Sequence, residues 1–427
     1  MAGVWMARPV LAGGAALPAR GDADPQRAAL AFAGAVLCAS LFLQRFAVPF
    51  GDKGLSVAGP IGLALAGAGL LGGALAFHRT RLLCYLALVC CCVLGAGYHA
   101  AEPDGFGAAQ SAESLGQFLL LTGFATLTFA RPVDEDRFFR LVTLVLAVIA
   151  AAGVLQFAAQ FVGLGLFSFE GIVPSSILFE KGYNLRIPIT GSGPLLKSNG
   201  FFLVEPSVFS QFMAVALAIE LVSFKRLPLL CLFAAGFMLS FSGTGWIVLA
   251  GFVAAVAAGM GARGVVLACA TLATLALAAG ATYVFAPELF LSFAGRLDEI
   301  SRPSTSGHLR FVTPYWTLAD VVGRDPAALL LGIGAGVTDR LSLPYEYNVN
   351  TPIKVLLDYG LPALVAYLLL FVLGRKSPVQ GALVLPGIVM FLFTGGYQQF
   401  PPVLFPLLLL LSVARLRPSS VAHGHAG

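Results

Sequence analysis

The sequence predicts an all-α fold, a polytopic helical bundle with about 12 transmembrane helices. Of its 427 residues, 58% are apolar and only 11% are charged. The mean hydropathy is +0.88, far outside the balance of a soluble globular domain. Long apolar windows also recur along the whole chain, and a helix needs about 20 apolar residues to cross a bilayer.

Twelve apolar windows are the predicted spans, and the seventh, eighth and twelfth of them are short. They cover residues 28–46, 56–77, 82–99, 115–130, 138–163, 203–223, 227–241, 244–260, 264–286, 351–373, 379–396 and 402–415. A transmembrane domain is therefore predicted at 28–415. Residues 1–27 and 416–427 are predicted as cytoplasmic tails, the first of them disordered because prolines and glycines break any targeting-type apolar core.

The positions of Lys and Arg predict the orientation of these spans in the membrane, because both residues collect in the short cytoplasmic connections of membrane proteins. With both termini inside, the internal connections contain Arg79, Arg81, Arg131, Arg137, Arg140, Lys225, Arg226, Arg263, Arg375 and Lys376. The connection at 100–114 has three acidic residues and neither Lys nor Arg, so it is predicted to lie outside. Arg45 and Lys53, near the first external turn, are mild exceptions.

Two external connections are long, at about 164–202 and 287–350, and any chemistry is expected there. They contain Lys181, Arg186, Lys197, Arg296, Arg302, Arg310, Arg324 and Arg340. Positive charge retained on the outer side suggests an anionic ligand. Alternatively, long external loops escape the charge rule and these cations are merely solvated.

Glu205 is the most informative single residue. A carboxylate at the mouth of an apolar segment is costly in lipid and usually faces a water-filled cavity or a partner charge. It precedes Pro206 and Ser207 at the start of span six. Two interpretations stay open: Glu205 is a general base, or it is a structural and orienting residue that pairs with a loop cation or favours the start of the helix.

The second long loop contains two further patterns. Thr313 followed by Pro314 predicts a helix at 315–322 with Thr313 as its N-cap, which would either dock on the membrane surface or cover a cavity. The glycine-rich segment at 332–336 resembles a phosphate loop only superficially. It lacks the surrounding strand and helix and the following Lys-Ser/Thr, so no nucleotide site is predicted.

Two polar clusters lie in or near the spans. Small hydroxylated residues at 240–245, in the turn between spans seven and eight, favour close helix packing over catalysis. Lys354 and Asp358 near the start of span ten are spaced i, i+4, which predicts a mutual ion pair.

Several segments together resemble one family. Asn-Gly-Phe-Phe-Leu-Val-Glu-Pro-Ser at 199–207 and Ser-Phe-Ser-Gly-Thr-Gly-Trp at 240–246 are similar to the core of bacterial O-antigen ligases and polysaccharide polymerases. His-Leu-Arg at 308–310 and the glycines at 332–336 resemble the large external loop of that family. The resemblance covers about residues 195–375.

The start of span ten also fits, with departures that favour a polymerase. Asn350 and the Gly-Leu-Pro-Ala at 360–363 resemble the start of the corresponding span in the family. Ligases of the family typically have a His where this chain has Val349, and a Ser-Arg pair where it has Ser-Gly at 242–243. The chain is more similar to exopolysaccharide polymerases, including the xanthan type.

The resemblance implies a donor glycan linked through a diphosphate to a polyprenyl lipid, and a second lipid-linked unit as acceptor. Negative charge grows on the leaving diphosphate, so fixed cations stabilise the transition state, and an Arg fork suits phosphate oxygens. Arg310 and Glu205 are the predicted catalytic residues; an ion pair of Arg310 with Asp298 or Glu299 is the alternative. The predicted substrate-binding residues are Arg186, Lys197, Asn199, Tyr315, Asn350 and Lys354.

The predicted function is polymerisation of such repeat units by a membrane glycosyltransferase of the bacterial inner membrane. No metal or cofactor is expected, because the external loops lack an Asp-x-Asp pattern and the five His residues are dispersed. Membrane lipids and, by the resemblance, a flippase and a chain-length regulator are expected partners; nucleic acid is not. Two alternatives stay open: an O-antigen-ligase-type transfer to another acceptor, and a membrane transporter or lipid flippase.

Overall fold

A computed structural model describes residues 25–48, 55–101, 109–166, 169, 173–178, 185–189, 193–260, 266, 269, 284, 301–373 and 378–413. Within these residues the chain is mostly helical, with two small two-stranded sheets. The C-terminal tail, most of the N-terminal tail and nearly all of the predicted ninth span lie outside the described residues.

Each of the other eleven predicted spans contains a helix. In chain order the helices are α1 (Pro25–Phe42), α2 (Ala58–Leu71), α3 (Arg79–Ala101), α4 (Ala112–Gly123), α5 (Glu135–Ala159), α6 (Pro206–Ile219), α7 (Leu227–Leu239), α8 (Thr244–Met260), α9 (Ser306–Phe311), α10 (Thr313–Arg324), α11 (Ala328–Leu331), α12 (Thr351–Val372), α13 (Pro378–Phe393) and α14 (Pro401–Ser412). The strands are β1 (Ala47–Val48), β2 (Leu55–Ser56), β3 (Leu75–Phe77) and β4 (Leu127–Phe129).

Four helices of the described part are long and apolar enough to cross a membrane. They comprise Arg79–Ala101, Glu135–Val162, Pro206–Phe224 and Thr351–Val372. Six further apolar helices have only 10–17 residues, and a helix rises about 1.5 Å per residue. The structure therefore supports apolar helices of membrane-spanning type but does not confirm the predicted number of spans.

Spans two and four contain less helix than their apolar windows. α2 ends before Gly72 and Gly73, and Gly73 has a φ of +70°. The chain then enters β3, which pairs antiparallel with β4 at the end of the fourth window. Part of each apolar window is thus a short strand, which hydrophobicity alone does not distinguish from buried helix.

The predicted helix in the second long loop is present as α10, but its cap is different. Thr313 is the first helical residue, and Val312 is the N-cap residue. The Thr313 hydroxyl donates to Leu309 O over 2.9 Å, because a preceding short helix, α9, offers that carbonyl.

The bundle has a buried centre and an apolar periphery. In an apolar 18-residue window of Pro206–Phe224, which begins with α6, 72% of the residues are buried, against 22% in the window of α3. α6 packs against α5, α7, α8 and α13, whereas α3 exposes Leu83, Leu86, Val93 and Leu94. Such an exposed apolar helix face suits contact with lipid tails.

Arg81 joins the helix ends that the charge pattern assigns to the cytoplasmic side. Its buried guanidinium donates to Leu373 O over 3.1 Å and to Leu411 O over 2.8 Å, at the ends of α12 and α14. A cation is favourable at the carbonyl end of a helix. The start of α3 and the ends of α12 and α14 therefore meet, as the predicted alternation of spans requires.

Candidate active site at one end of the bundle

A cavity of about 470 Å³ lies at the other end of the bundle, where α6, α12 and α14 begin. Its wall comes from four parts of the chain that are far apart in sequence. The lining residues are Val204, Glu205, Val208, Arg310, Asp339, Tyr347, Asn348, Val349, Lys354, Thr394, Gly395, Gly396, Tyr397 and Phe400. Polar and charged side chains thus converge in one cavity beside a few apolar ones, and convergent polar groups of this kind are typical of a ligand site.

The two predicted catalytic residues contact each other in this cavity. Arg310 Nη2 lies 3.3 Å from Glu205 Oε2, and the side chains are 15% and 20% exposed. The Ser207 hydroxyl donates to the same carboxylate oxygen over 2.8 Å. Glu205 thus has the loop cation that one of its two interpretations required, whereas Asp298 and Glu299, the alternative partners of Arg310, lie outside the described residues.

Arg310 keeps unused hydrogen-bonding capacity. Its Nη1 is buried, and this atom has no hydrogen-bond partner within the described part of the chain. Burying an unpaired donor is unfavourable. A ligand oxygen in the cavity would accept a hydrogen bond from Nη1, while Nη2 of the same guanidinium stays paired with Glu205.

Local backbone geometry frees the Glu205 carboxylate for this contact. Glu205 is the N-cap residue of α6 in an extended conformation, and its side chain makes no capping hydrogen bond. Pro206 occupies the first turn, where its missing N–H is no loss. The carboxylate therefore accepts from the side chains of Ser207 and Arg310 rather than from a backbone N–H of α6.

The end of α1 fixes the segment that precedes Glu205. Arg45 is fully buried, its Nη1 donates to Phe201 O over 2.7 Å, and its guanidinium lies 5.0 Å from the Phe169 ring centroid. Gln44 Oε1 accepts from Val204 N–H over 2.9 Å. Arg45 was an exception to the charge pattern, and the structure shows it as a buried residue that positions backbone.

A second ion pair lies in the cavity, and it differs from the predicted one. Lys354 pairs with Asp339, whereas the predicted pair of Lys354 with Asp358 is wrong. Asp358 instead accepts hydrogen bonds from the backbone N–H and the hydroxyl of Thr338. The spacing of Lys354 and Asp358 is compatible with a pair, but loop 332–340 offers a closer partner to each.

α12 is interrupted at Gly360, and the glycine-rich segment packs against the interruption. Gly360 has a φ of +85° and a ψ of 171°, which are not helical. Ile333 N–H donates to Leu357 O over 2.7 Å, and Gly334 N–H donates to Asp358 O over 3.3 Å. Loop N–H groups thus satisfy carbonyls that the broken helix leaves free, which is how irregular backbone is tolerated in an apolar setting.

Close backbone approach explains the glycines on both sides of this contact. A Cβ on Gly360 would lie 2.1 Å from Leu330 O, and one on Gly332 would lie 2.4 Å from Asp358 O. These glycines serve packing of the loop on α12. The docked loop then places Asp339 beside Lys354.

Asn350 acts as a structural cap rather than as part of the cavity wall. Its Oδ1 accepts from Ile353 N–H over 3.2 Å at the start of α12. This cap fixes the first turn, which contains Lys354, so that the lysine reaches the cavity. Asn350 itself is not among the lining residues.

The remaining predicted substrate-binding residues also lie outside the cavity lining. Arg186 is exposed and Lys197 is buried, near two chain segments that bridge antiparallel. Asn199 is fully buried, and its Oδ1 accepts from Gln156 Nε2 over 2.8 Å. Tyr315 is 57% exposed on α10. Of the predicted set, only Glu205, Arg310 and Lys354 line the cavity.

The turn at 240–245 packs against the start of α6, as predicted. Thr244 Oγ1 donates to Ser207 O over 3.2 Å and lies 3.3 Å from Ser210 Oγ. A Cβ on Gly245 would lie 2.9 Å from Ser210 O. This turn therefore supports the residues next to Glu205 by close helix approach.

Asp339 and Tyr347 are cavity residues that the sequence did not single out. The Tyr347 hydroxyl lies 2.8 Å from Thr338 O and 3.0 Å from Leu341 O. Burial, and then the Asp339 carboxylate, raise the pKa of Tyr347, so its phenol stays neutral and can donate. In the sequence, Asp339 differed from many other residues only by lying in a long loop that was predicted to be external.

Neither metal-binding residues nor comparison with known proteins assigns a further function to this site. No group of three or more His, Cys, Asp or Glu side chains in the described residues is arranged to hold a metal ion. No protein-family model matches the chain, and no curated protein matches it.

Proposed function

We propose that the protein polymerises polyprenyl-diphosphate-linked oligosaccharide units at the external side of the bacterial inner membrane. The observation that carries the proposal is the cavity at one end of an apolar bundle, lined by Arg310 and Lys354 together with Glu205 and Asp339. A lipid-linked diphosphate needs this combination, because its tail requires an apolar setting and its charge requires cations.

The two cations are assigned to the leaving diphosphate. Breaking the bond between the anomeric carbon and the phosphate oxygen leaves the bonding electron pair on the diphosphate, where negative charge grows. Arg310 stays charged at any relevant pH, and its buried Nη1 has no hydrogen-bond partner among the described residues. Lys354 adds a second positive charge. Fixed cations of this kind stabilise the transition state more than the ground state.

The two carboxylates have different surroundings and are assigned different roles. Glu205 Oε2 already accepts hydrogen bonds from Arg310 and Ser207, and the side chain is 20% exposed. Asp339 also pairs with a cation, Lys354, but its side chain is 37% exposed, so an acceptor hydroxyl reaches it more easily. Glu205 then orients Arg310, and Asp339 is the general base that receives the proton of the acceptor hydroxyl.

The acceptor oxygen forms its new bond to the anomeric carbon as its proton moves to Asp339 and the diphosphate departs. Direct displacement of this kind inverts the anomeric configuration. NMR of the linkage formed from a donor of known configuration tests this step. A product with retained configuration would exclude direct displacement.

Product analysis separates a polymerase from a ligase. Purified protein in lipid nanodiscs receives only one synthetic lipid-linked repeat unit, and the lipid-linked products are resolved by gel or mass spectrometry. A polymerase gives a ladder of chains that differ by one repeat unit. Absence of a ladder, together with transfer to a different added acceptor, would favour the ligase.

A transporter or lipid flippase is the second candidate, because α12 is interrupted at Gly360, and interrupted helices are common at transporter binding sites. Here loop backbone around Ile333 and Gly334 packs against the interruption. A lipid-flipping assay in proteoliposomes discriminates: translocation of the lipid-linked unit without any new glycosidic bond would favour the transporter.

A further inference from the structure

Aromatic side chains extend from the cavity over the second loop. Tyr315 and Trp316 on α10 are 57% and 48% exposed. The Trp316 ring centroid lies 5.9 Å from that of Tyr345 and 5.0 Å from that of His308, both edge to face. Tyr315, Trp316 and Tyr345 are called the aromatic surface below.

The aromatic surface connects to the cavity in two places. Asn348 lines the cavity and donates its backbone N–H to Thr313 Oγ1 over 3.4 Å, at the start of the helix that contains Trp316. Tyr345, whose ring contacts Trp316, lies two residues before Tyr347 in the chain. Tyr347 lines the cavity. A ligand held in the cavity can therefore continue over Trp316.

The exposed aromatic residues have unused binding capacity. α10 buries its opposite face, with Thr313, Thr317 and Val321, and leaves Tyr315 and Trp316 uncovered. The Tyr345 hydroxyl is buried and has no hydrogen-bond partner within the described part of the chain. The occupant that satisfies all of these groups supplies both an apolar face and a hydrogen-bonding oxygen.

We infer that the aromatic surface binds the sugar chain of the substrate while the cavity holds the diphosphate end; this inference rests on the proposed function. A sugar ring has C–H groups that pack on an aromatic face and hydroxyl groups that hydrogen-bond at its edge. A lipid tail supplies the C–H groups alone. The Asp320–Arg324 ion pair on the same helix, with a 2.8 Å contact, also makes the surroundings polar.

The test uses Trp316 as its own reporter. The chain has three tryptophans, so Trp5→Phe with Trp246→Phe leaves Trp316 alone, in full-length protein in nanodiscs. The probe is the oligosaccharide released by mild acid from lipid-linked repeat units of the native cells, free of lipid and phosphate. We expect this glycan to shift the Trp316 emission and to protect the ring from iodide quenching.

Calorimetry with the same glycan measures the contribution of each ring. Trp316→Ala should weaken glycan binding about tenfold, as expected for loss of one stacked ring. Tyr345→Phe should weaken it less, because only the hydroxyl is lost. Leu330→Ala, which truncates an exposed side chain of the same loop, is the matched control and should leave affinity unchanged.

Two results would overturn the inference. The first is unchanged glycan affinity in Trp316→Ala. The second is quenching of Trp316 by brominated lipid chains with no effect of glycan, which would place the ring in the membrane interface, where aromatic residues also collect.

The inference and the proposed function fail separately. If the glycan binds at Trp316 but no ladder of products forms, glycan binding by the aromatic surface is supported and the polymerase proposal is excluded. If Trp316→Ala gives a ladder of native chain lengths and binds glycan with native affinity, the polymerase proposal is supported and the role of the aromatic surface is excluded.

Discussion

At the scale of single residues, the cost of a carboxylate in an apolar segment identified Glu205, and the loop cations together with the family resemblance identified Arg310. Their contact could not be predicted, because it joins residues 105 positions apart through a folded loop. Lys354 was identified with the wrong partner for the same reason: helical spacing defines Asp358 as a neighbour, whereas Asp339 arrives by loop packing. Asn199 and Asn350 are polar residues whose hydrogen bonds are structural.

The different surroundings of the two cavity carboxylates lead to a prediction about turnover. Asp339→Asn removes the assigned base, so kcat for chain extension should fall by about 10² to 10⁴-fold while the lipid-linked unit still binds. Glu205→Gln should lower kcat less and raise KM more, because it loosens Arg310. Steady-state kinetics of both variants check this; a larger loss of kcat in Glu205→Gln would reverse the two roles.

At the scale of elements, the hydrophobic pattern predicted which segments contain helices but not where those helices end or are interrupted. The α12 window is predominantly apolar, and the interruption at Gly360 depends on a loop that packs against it from another part of the chain. The glycines at 332–336 were not predicted to bind a nucleotide, but their packing role required knowledge of the backbone they approach. Strands β3 and β4 were missed because apolar strand and buried helix look alike in a short window.

The contact of α12 with the loop makes Gly360 a position where only glycine fits. Gly360→Ala should destabilise the protein by about 3 kcal/mol or more, since it combines a positive φ with a backbone clash. Gly116→Ala in α4 is the matched control: apart from its own helix backbone and chain neighbours, no atom of the described residues lies within 4 Å of the added Cβ, and helix propensity favours Ala by about 1 kcal/mol. Thermal unfolding in detergent compares them; equal midpoints would contradict the packing.

At the scale of the whole molecule, composition predicted an apolar helical bundle, and alternation of the spans agrees with how α3, α12 and α14 meet around Arg81. The number of spans was harder to predict, because several apolar windows contain helices of only 12 to 17 residues. Composition does not determine how long the helix within an apolar window is. The cavity itself depends on the meeting of four distant chain segments and has no local sequence signal.

The proposed orientation places the cavity outside and the opposite end of the bundle in the cytoplasm. In a variant whose seven cysteines are replaced by Ala, Asn348→Cys should react with a membrane-impermeant maleimide in intact spheroplasts. Arg131→Cys, exposed before α5, should react only after lysis. The reverse pattern would show that the cavity opens to the cytoplasm.

The central claim is that the cations of the cavity carry out glycosyl transfer, and the ladder assay on Arg310→Ala tests it most directly. Arg186→Ala, at an exposed loop arginine outside the cavity lining, is the matched control. We expect Arg310→Ala to bind the lipid-linked unit detectably but to extend it at least about 10²-fold more slowly, as for loss of one transition-state donor, while Arg186→Ala gives the native ladder. A native ladder from Arg310→Ala, or equal losses in both variants, would contradict the account.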